Sequence, residues 1–565
     1  MPRTNTSGSL ADWYRSTLGH ALVGAILLWA ALPPLKLGLL GWIAPVWWVL
    51  LIRKKELVGR RPYATLWLAG FLFWLAMLHW LRLPHPATSI GWVALSFYFA
   101  FYLPLFVGLS RVAVHQLRLP VVLAAPIVWT GLELAREYVL HGMTMACLGH
   151  TQYDRITLIQ MSDLAGAFGV SFVVMFVAAS LARMIRCDQQ PRAIWPLVPA
   201  IAVLAAVLCY GYVRIGFERA KGEDEAAIAL IQGSIDTQMK TDPGMNDRIH
   251  RQYRELSADA IEQHGQPDLI VWPETMFRET LITREANARM PDVFRHQGRT
   301  EQQFQAALED ASRQSHMEMS AMSGHFGAAM LIGVDNHHFG PDGMKIYNAA
   351  AFVRRDGSLA GVYRKNHRVM FGEYVPFAEY LPWIQRLTPL PVSLNAGTRP
   401  ASFKVDGLRV GPNICFESVL SRVIRRQVNL LAAEGVEPDV LVNLTNDGWF
   451  WGSSELDLHL ICGVFRAVEC RKPFLIAANT GFSAWIDGDG RIVRQGPRRD
   501  TGTIFASVSA DPRRSWYLRH GDWPAGICLA ACAVFALAGL LRWRGVSPGV
   551  ACVAWPRSPD IGGKR

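Results

Sequence analysis

A cysteine thiol becomes a nucleophile only when a neighbour takes its proton, and this sequence supplies suitable groups on separate segments. Four stretches carry the chemistry: Val271-Trp-Pro-Glu274, Tyr363-Arg-Lys365-Asn-His367, Phe371-Gly-Glu373-Tyr-Val-Pro376 and Asn413-Ile-Cys415-Phe-Glu417. The free thiol has a pKa of about 8.5, and the thiolate is the reactive form. A partly desolvated carboxylate can accept that proton. A lysine can stabilise the oxyanion of a tetrahedral acyl intermediate. Glu274, Lys365 and Cys415, at three strand ends, provide those three roles.

The elements that must position these groups follow from the local pattern. Short β-rich runs at 226–232, 268–274, 328–334, 347–355, 408–415, 439–446 and 474–479 alternate with helical patterns at 246–264 and 455–470. Asp356-Gly357 is a hairpin turn signal. Such alternation predicts a layered α/β domain with helices outside. Glu274, Cys415 and Asn446-Asp447 fall at C-terminal strand ends, the edge where α/β sheets build sites. Asp447 and Trp449 are expected in the pocket wall. Residues 278–327, charged and rich in Met and Gln, have weak periodicity. They are expected to form an inserted helical excursion or lid, with a solvated surface helix of no functional role as the favoured form.

Composition divides the chain. Hydrophobic residues make up 51% and charged residues 18% of the 565, against roughly a quarter charged in soluble proteins. The apolar excess lies in 18–214 and again in 524–541. Eight spans are expected, near 18–32, 36–52, 64–82, 91–110, 120–136, 165–182, 195–213 and 524–541. The first run lacks a small-residue cleavage site and reads as a retained span. The expected domains are a transmembrane part at 1–214, a catalytic domain at 215–520, and a last span with its tail at 521–565.

The net charge of +11 lies largely in short segments between spans, which argues for membrane topology over nucleic-acid binding. With Arg3 and Arg15 in the cytoplasm, the loops carrying Arg53 to Arg61, Arg111 and Arg118, and Arg183 to Arg192 fall on the same side, as does the tail with Arg542, Arg544, Arg557, Lys564 and Arg565. The catalytic domain then faces outward, on the extracytoplasmic side of a bacterial inner membrane. Trp129, Glu133 and Arg136 share one helical face; an interfacial charge pair and a functional role are equally weighted there. The small residues from Gly166 to Ser171 favour close helix packing.

The nine cysteines form no paired framework and no zinc spacing. Cys462 and Cys470 read as buried small hydrophobes. His337, His338 and His367 lack a regularly spaced third ligand, so no metal is expected.

Taken in order, the four segments resemble the nitrilase superfamily, and within it the bacterial apolipoprotein N-acyltransferases. The resemblance extends over nearly the whole chain: Pro126 to Trp129, Glu133, Arg136, Gln160, Asp163, Gly166, Gly169 and Ser171-Phe172 in the helical part, then Gln232-Gly233, and beyond the nucleophile Asn446-Asp-Gly-Trp449-Phe450, His459, Arg466-Ala467, Glu469, Arg471, Pro473 and Asn479-Thr-Gly481. It implies an α-β-β-α nitrilase-like domain joined to a multi-span membrane domain. Glu274 would be general base, Lys365 would stabilise the oxyanion and Cys415 would be acylated. Glu373 would hold lysine and thiol in place; Glu417 would orient groups or assist the acceptor amine. Asn446 joins Asp447 and Trp449 as a supporting residue.

The implied reaction moves a fatty acyl chain from a membrane phospholipid, through a Cys415 thioester, to the N-terminal α-amine of a diacylglyceryl-cysteine lipoprotein, with ping-pong kinetics. The resemblance implies no cofactor and no nucleic-acid partner, and a monomer is expected. Two positions depart from the family pattern: Phe416 replaces a tyrosine, and Thr241 replaces a tryptophan after Lys240. Two other functions compete: a membrane-tethered amidase with water as acceptor, and a non-catalytic scaffold.

Overall fold

The computed structural model describes residues 16–188, 192–216, 225–236, 239, 242–296, 298, 300–376, 380 and 393–543. Lys240, Thr241, Arg3, Arg15, Cys552 and the basic tail from Arg544 onward lie outside them.

Apolar helices form where the sequence is apolar: Thr17–Ala31, Ala44–Arg53, Pro62–Met77, Thr88–Phe99, Tyr102–Arg111, Val121–Tyr138, Ser162–Met184, Leu197–Gly216 and Trp523–Trp543. Among the described residues, four segments are long and apolar enough to cross a membrane: 88–116, 162–184, 197–215 and 523–542. Thr17–Ala31, Gly38–Arg53 and Pro62–Met77 are shorter. The expected span 91–110 is two helices in succession, and the expected span 36–52 begins as a tight turn at Gly38–Trp42.

Val121–Tyr138 contains Glu133, Arg136 and Glu137, all buried. Glu133 Oε1 accepts from Trp129 Nε1 at 2.9 Å and from the Leu148 amide at 2.7 Å. Arg136 Nη2 donates to Cys147 Sγ at 3.0 Å, and its guanidinium lies over the Trp74 ring. Polar groups inside an apolar bundle persist only when they find such partners.

Two six-stranded sheets make the catalytic domain. The strands are β1 Glu225–Gln232, β2 Leu269–Arg284, β3 Ala329–Gly340, β4 Gly343–Val353, β5 Leu359–Arg364, β6 Phe403–Val405, β7 Leu408–Ile414, β8 Val440–Thr445, β9 Phe474–Ala478, β10 Ala484–Ile486, β11 Ile492–Gln495 and β12 Gly502–Ser509. One sheet runs β12-β1-β2-β3-β4-β5 and the other β11-β10-β9-β8-β7-β6. The central pairs β1–β2, β2–β3, β7–β8 and β8–β9 are parallel.

Strand alternation sorts the side chains into layers. Leu230, Leu269, Val271, Leu331 and Phe352 face Val410, Ile414, Val442, Leu444 and Leu475 between the sheets. Ile231, Ile270 and Trp272 point the other way, onto Tyr253, Met319, Met322 and Phe326 of the outer helices. The helix Asn246–His264 offers Ile249, Tyr253, Ser257 and Ala260 along one face, the spacing of an amphipathic helix.

The segment 278–327 is helical over much of its length, as expected, but begins as strand. Residues 278–284 continue β2, and the helix Glu301–Phe326 buries Phe304, Leu308, Met319 and Met322. Its start is fixed by a capping box between Thr300 and Gln303. It is a surface helix, with its polar face exposed and its apolar face covering the first sheet. Its buried Phe304, Leu308, Ser315, Met319, Met322 and Phe326 recur at helical spacing.

The other helix layer is continuous with the membrane bundle. All sixteen residues of Glu455–Cys470 are buried, between the second sheet and the bundle. Asp163 on the bundle helix Ser162–Met184 receives Arg471 and Arg214. Glu469 Oε1 accepts the Ala167 amide at 2.9 Å. The paired charges offset the cost of their burial only because each has its partner.

Candidate active site

β2 ends its regular parallel register with β3 at Trp272, and pairing resumes only at Phe277. Pro273 lacks an amide hydrogen for the ladder, and Thr275 has φ +54°. Gly333 passes this bulge so closely that a Cβ would strike the Pro273 carbonyl. The result turns Glu274 out of the pleat. The sequence placed it at a strand end; it sits at an interruption within a longer strand.

Glu274 Oε1 accepts from Asn348 Nδ2 at 2.6 Å, and Oε2 accepts the Asn446 amide at 2.9 Å. Lys365, just past β5, donates to Glu373 Oε1 at 2.8 Å and lies 3.6 Å from Glu274 Oε1. Asn348 Nδ2 also donates to Glu373 Oε1 at 2.9 Å, and the Val369 amide closes on Oε2 at 2.8 Å. Lys365 is only 2% exposed. Burial opposes its charge, but Glu373 and then Glu274 outweigh burial and hold its pKa above the ordinary value. It is a fixed cation between two carboxylates.

Cys415 follows β7 with φ +51°, a left-handed conformation for a residue with a side chain. It opens a tight helical turn, Cys415–Val419. Burial first, and the Glu274 carboxylate second, push its thiol well up, against the pull of Lys365. The thiol is protonated at rest and its ionisation requires a base. Lys365 lies against Glu274, and Glu417 ties the Asn366 and His367 amides to the Ile414 amide beside Cys415, so the three groups share one site.

Glu417 occupies a different place from the one expected for a group assisting an amine. It is fully buried. Oε2 accepts from Tyr363 Oη and the Ile414 amide, both at 2.7 Å. Oε1 accepts the Asn366 and His367 amides at 2.8 and 2.9 Å. With four donors on two oxygens, it ties the lysine loop to the cysteine turn and has no capacity left for substrate. Its carboxyl is pushed up by burial, against those hydrogen bonds.

Asn446 reaches Glu274 through its amide, while its Oδ1 accepts from Asn479 Nδ2 at 2.9 Å. Asp447 is buried and Trp449 half-buried in the following turn. His367 stacks on His141 with ring centres 4.2 Å apart, and on its other side faces the Phe416 ring at 6.1 Å. Phe416 thus has the His367 ring as a packing partner.

Asn348, Tyr363, Thr445 and Ser418 were not singled out from the sequence. Each is an ordinary polar residue in or beside a strand, and only the fold turns it toward the site. Asp447, Glu455 and His459 bring their side-chain donor atoms within 4.8 Å of one another. His459 and Asp447 are already hydrogen-bonded to each other, so we assign no metal there. The eight described cysteines are free, with Cys462 and Cys470 buried.

Residues 24–180 match the apolipoprotein N-acyltransferase N-terminal domain, and residues 227–517 match the carbon-nitrogen hydrolase domain. The chain is 32% identical over 545 residues to an apolipoprotein N-acyltransferase of Rhodopirellula baltica, covering 90% of this chain and 94% of the relative. It is 29% identical over 536 residues to that of Geobacter metallireducens, covering 92% and 95%. The amidase from Nesterenkonia sp. AN1 is 17% identical with a TM-score of 0.34, covering 54% of this chain and 98% of the amidase. This chain belongs to the apolipoprotein N-acyltransferase family, membrane acyltransferases whose helix bundle carries a carbon-nitrogen hydrolase domain.

Proposed function

We propose that the protein transfers a fatty acyl chain from a membrane phospholipid to the N-terminal α-amine of a diacylglyceryl-cysteine lipoprotein, through a thioester on Cys415. The observation that carries this reading is the convergence of Glu274, Lys365 and Cys415 in a buried site on a domain fused to apolar helices.

In the first half-reaction Glu274 takes the thiol proton and Cys415 Sγ attacks the ester carbonyl. Lys365 balances the charge that develops on the carbonyl oxygen. The C–O bond breaks, Glu274 returns its proton to the departing alkoxide, and a lysophospholipid leaves the thioester behind. In the second, the neutral amine attacks the thioester carbonyl while Glu274 takes an amine proton. The C–S bond breaks, the amide forms, and the proton returns to the Cys415 thiolate. Glu373 and Asn348 keep lysine and base in register. Both substrates are held in the outer half of an inner membrane, which places the domain on the extracytoplasmic side. The excess of Lys and Arg in alternate loops supports that orientation.

The test is intact mass of the full-length protein after incubation with phospholipid vesicles. A hydroxylamine-sensitive gain of one acyl chain, absent in Cys415→Ser, is expected, and a diacylglyceryl-cysteine peptide should discharge it. Discharge to free fatty acid alone would show that water is the acceptor. No adduct on the folded wild type would remove the thioester.

A further inference from the structure

A ring of hydrogen bonds starts and ends on Cys415. The Thr445 hydroxyl lies beside the thiol and pulls its pKa down, and it donates to Asp447 Oδ1 at 2.7 Å. The same oxygen lies 3.1 Å from His459 Nδ1. His459 Nε2 lies 2.8 Å from Ser418 Oγ. Ser418 Oγ donates back to the Cys415 carbonyl oxygen at 3.1 Å, where Asn443 Nδ2 also donates at 3.0 Å. Thr445, Asp447, His459 and Ser418 are all buried.

Counting protons around the ring ties the charge of the histidine to where the Ser418 hydrogen goes. A carboxylate only accepts, so Nδ1 carries a hydrogen. Ser418 has one hydroxyl hydrogen; in the arrangement where the Cys415 carbonyl receives it, Nε2 donates to the serine lone pair. With both nitrogens donating, His459 is an imidazolium and Asp447 its counter-ion. The turn it supports is strained, with Cys415 at φ +51°, and such a conformation persists only where its surroundings hold it.

We propose that the His459 imidazolium, held by Asp447, is a positioning residue for the nucleophile: through Ser418 it clamps the turn at Cys415, and through Asp447 it orients a Thr445 hydroxyl that turns to donate to the thiolate once the thiol proton leaves. The proposal rests on Cys415 being the nucleophile. It assigns work to a residue that touches no substrate. Were the ring to lose its proton, Nε2 would claim the Ser418 hydrogen, the Cys415 carbonyl would lose a donor, and the turn would be free to relax.

The groups facing His459 agree with this state. Asp447 is hydrogen-bonded to it, Glu455 lies one turn earlier on the same helix, and Glu274 and Cys415 lie across from it. Burial, then Asp447 and Asp457, push the Glu455 carboxyl well up. Burial pulls the imidazole down, but Asp447, then the Cys415 backbone and Glu274, outweigh it and leave the histidine above its ordinary value.

The test is the rate of iodoacetamide alkylation of Cys415 against pH, in full-length protein in detergent, located by peptide mapping with Cys415→Ser as the blank. His459→Gln keeps a polar group and removes the charge. It is expected to slow alkylation about tenfold at pH 7 and to raise the midpoint of the profile by about one unit. Thr445→Val should shift the midpoint the same way, and Thr445→Ser, which keeps the hydroxyl, should restore it. If His459→Gln fails to fold, the Thr445 pair decides the matter. Midpoints equal to wild type in folded His459→Gln and Thr445→Val would overturn the proposal, as would a rate that falls on adding EDTA, since a cation would then be holding the histidine. A wild-type Cys415 that resists alkylation at every pH would overturn the nucleophile reading itself.

Discussion

Asp163 Oδ2 and Arg471 Nη2 meet at 2.7 Å, both closed off from water, although 308 residues separate them. Asp163 begins a bundle helix and Arg471 ends the helix beneath the second sheet, so the contact joins bundle and catalytic domain. The same guanidinium donates to Gln160 Oε1 at 2.6 Å, and Tyr210 Oη donates to Asp163 Oδ1 at 2.7 Å. Arg471→Met leaves Asp163 buried with Arg214 as its remaining cation. Breaking a buried pair costs about 3–5 kcal/mol. Thermal denaturation of the full chain should show the domain and the bundle losing stability together. A melting temperature within about 2 °C of wild type would mean the joint contributes little.

Glu417 is predicted to matter for the geometry of the first half-reaction. Glu417→Gln keeps one oxygen and turns an amide group toward the donors the other oxygen served. Each unpaired buried donor costs about 1–3 kcal/mol. Lysine and thiol would drift apart, and a misplacement near 1 Å costs about 100-fold in rate. Thioester formation should slow by about that factor, with a lower melting temperature. Normal thioester formation with slow transfer to the amine would instead place Glu417 beside the acceptor.

His367 predicts an acid-sensitive fold. Burial, then His141, Arg422 and Lys365, pull its pKa down to about 3. The folded value lies below the unfolded value of about 6.5, so the stabilisation is fully present above pH 6.5 and is lost as pH falls toward 3. At pH 5 the loss is about 2 kcal/mol. His367→Asn, which cannot take the proton, should show a smaller fall in melting temperature between pH 7 and pH 5 than wild type. Equal falls would locate the acid sensitivity elsewhere.

The chemistry was legible where residue type and flanks coincide. Glu274, Lys365, Glu373 and Cys415 stand in short, distinctive segments, and the structure brings those four together. Glu417 was found by position but misread in part, because four backbone and side-chain donors converge on it from three elements. No linear pattern records such convergence. The segment 278–327 was read as a helical excursion, but its first residues continue β2, and only the sheet beneath shows that Met319, Met322 and Phe326 of its helix are core.

The sequence alone determined the division into apolar helices and an α/β domain, because hydrophobic periodicity and span length are local properties. It also determined which thiol, carboxylate and lysine are available. Only the tertiary structure decided their partners. Pairing Glu133 with Leu148 and Asp163 with Arg471 depends on which helices pack. The charge on His459 depends on a ring of donors drawn from residues 415 to 459 and closed through two strand ends. Hydrogen-bond direction and burial are properties of arrangement, and they appear only when segments distant in the chain share one low-dielectric space.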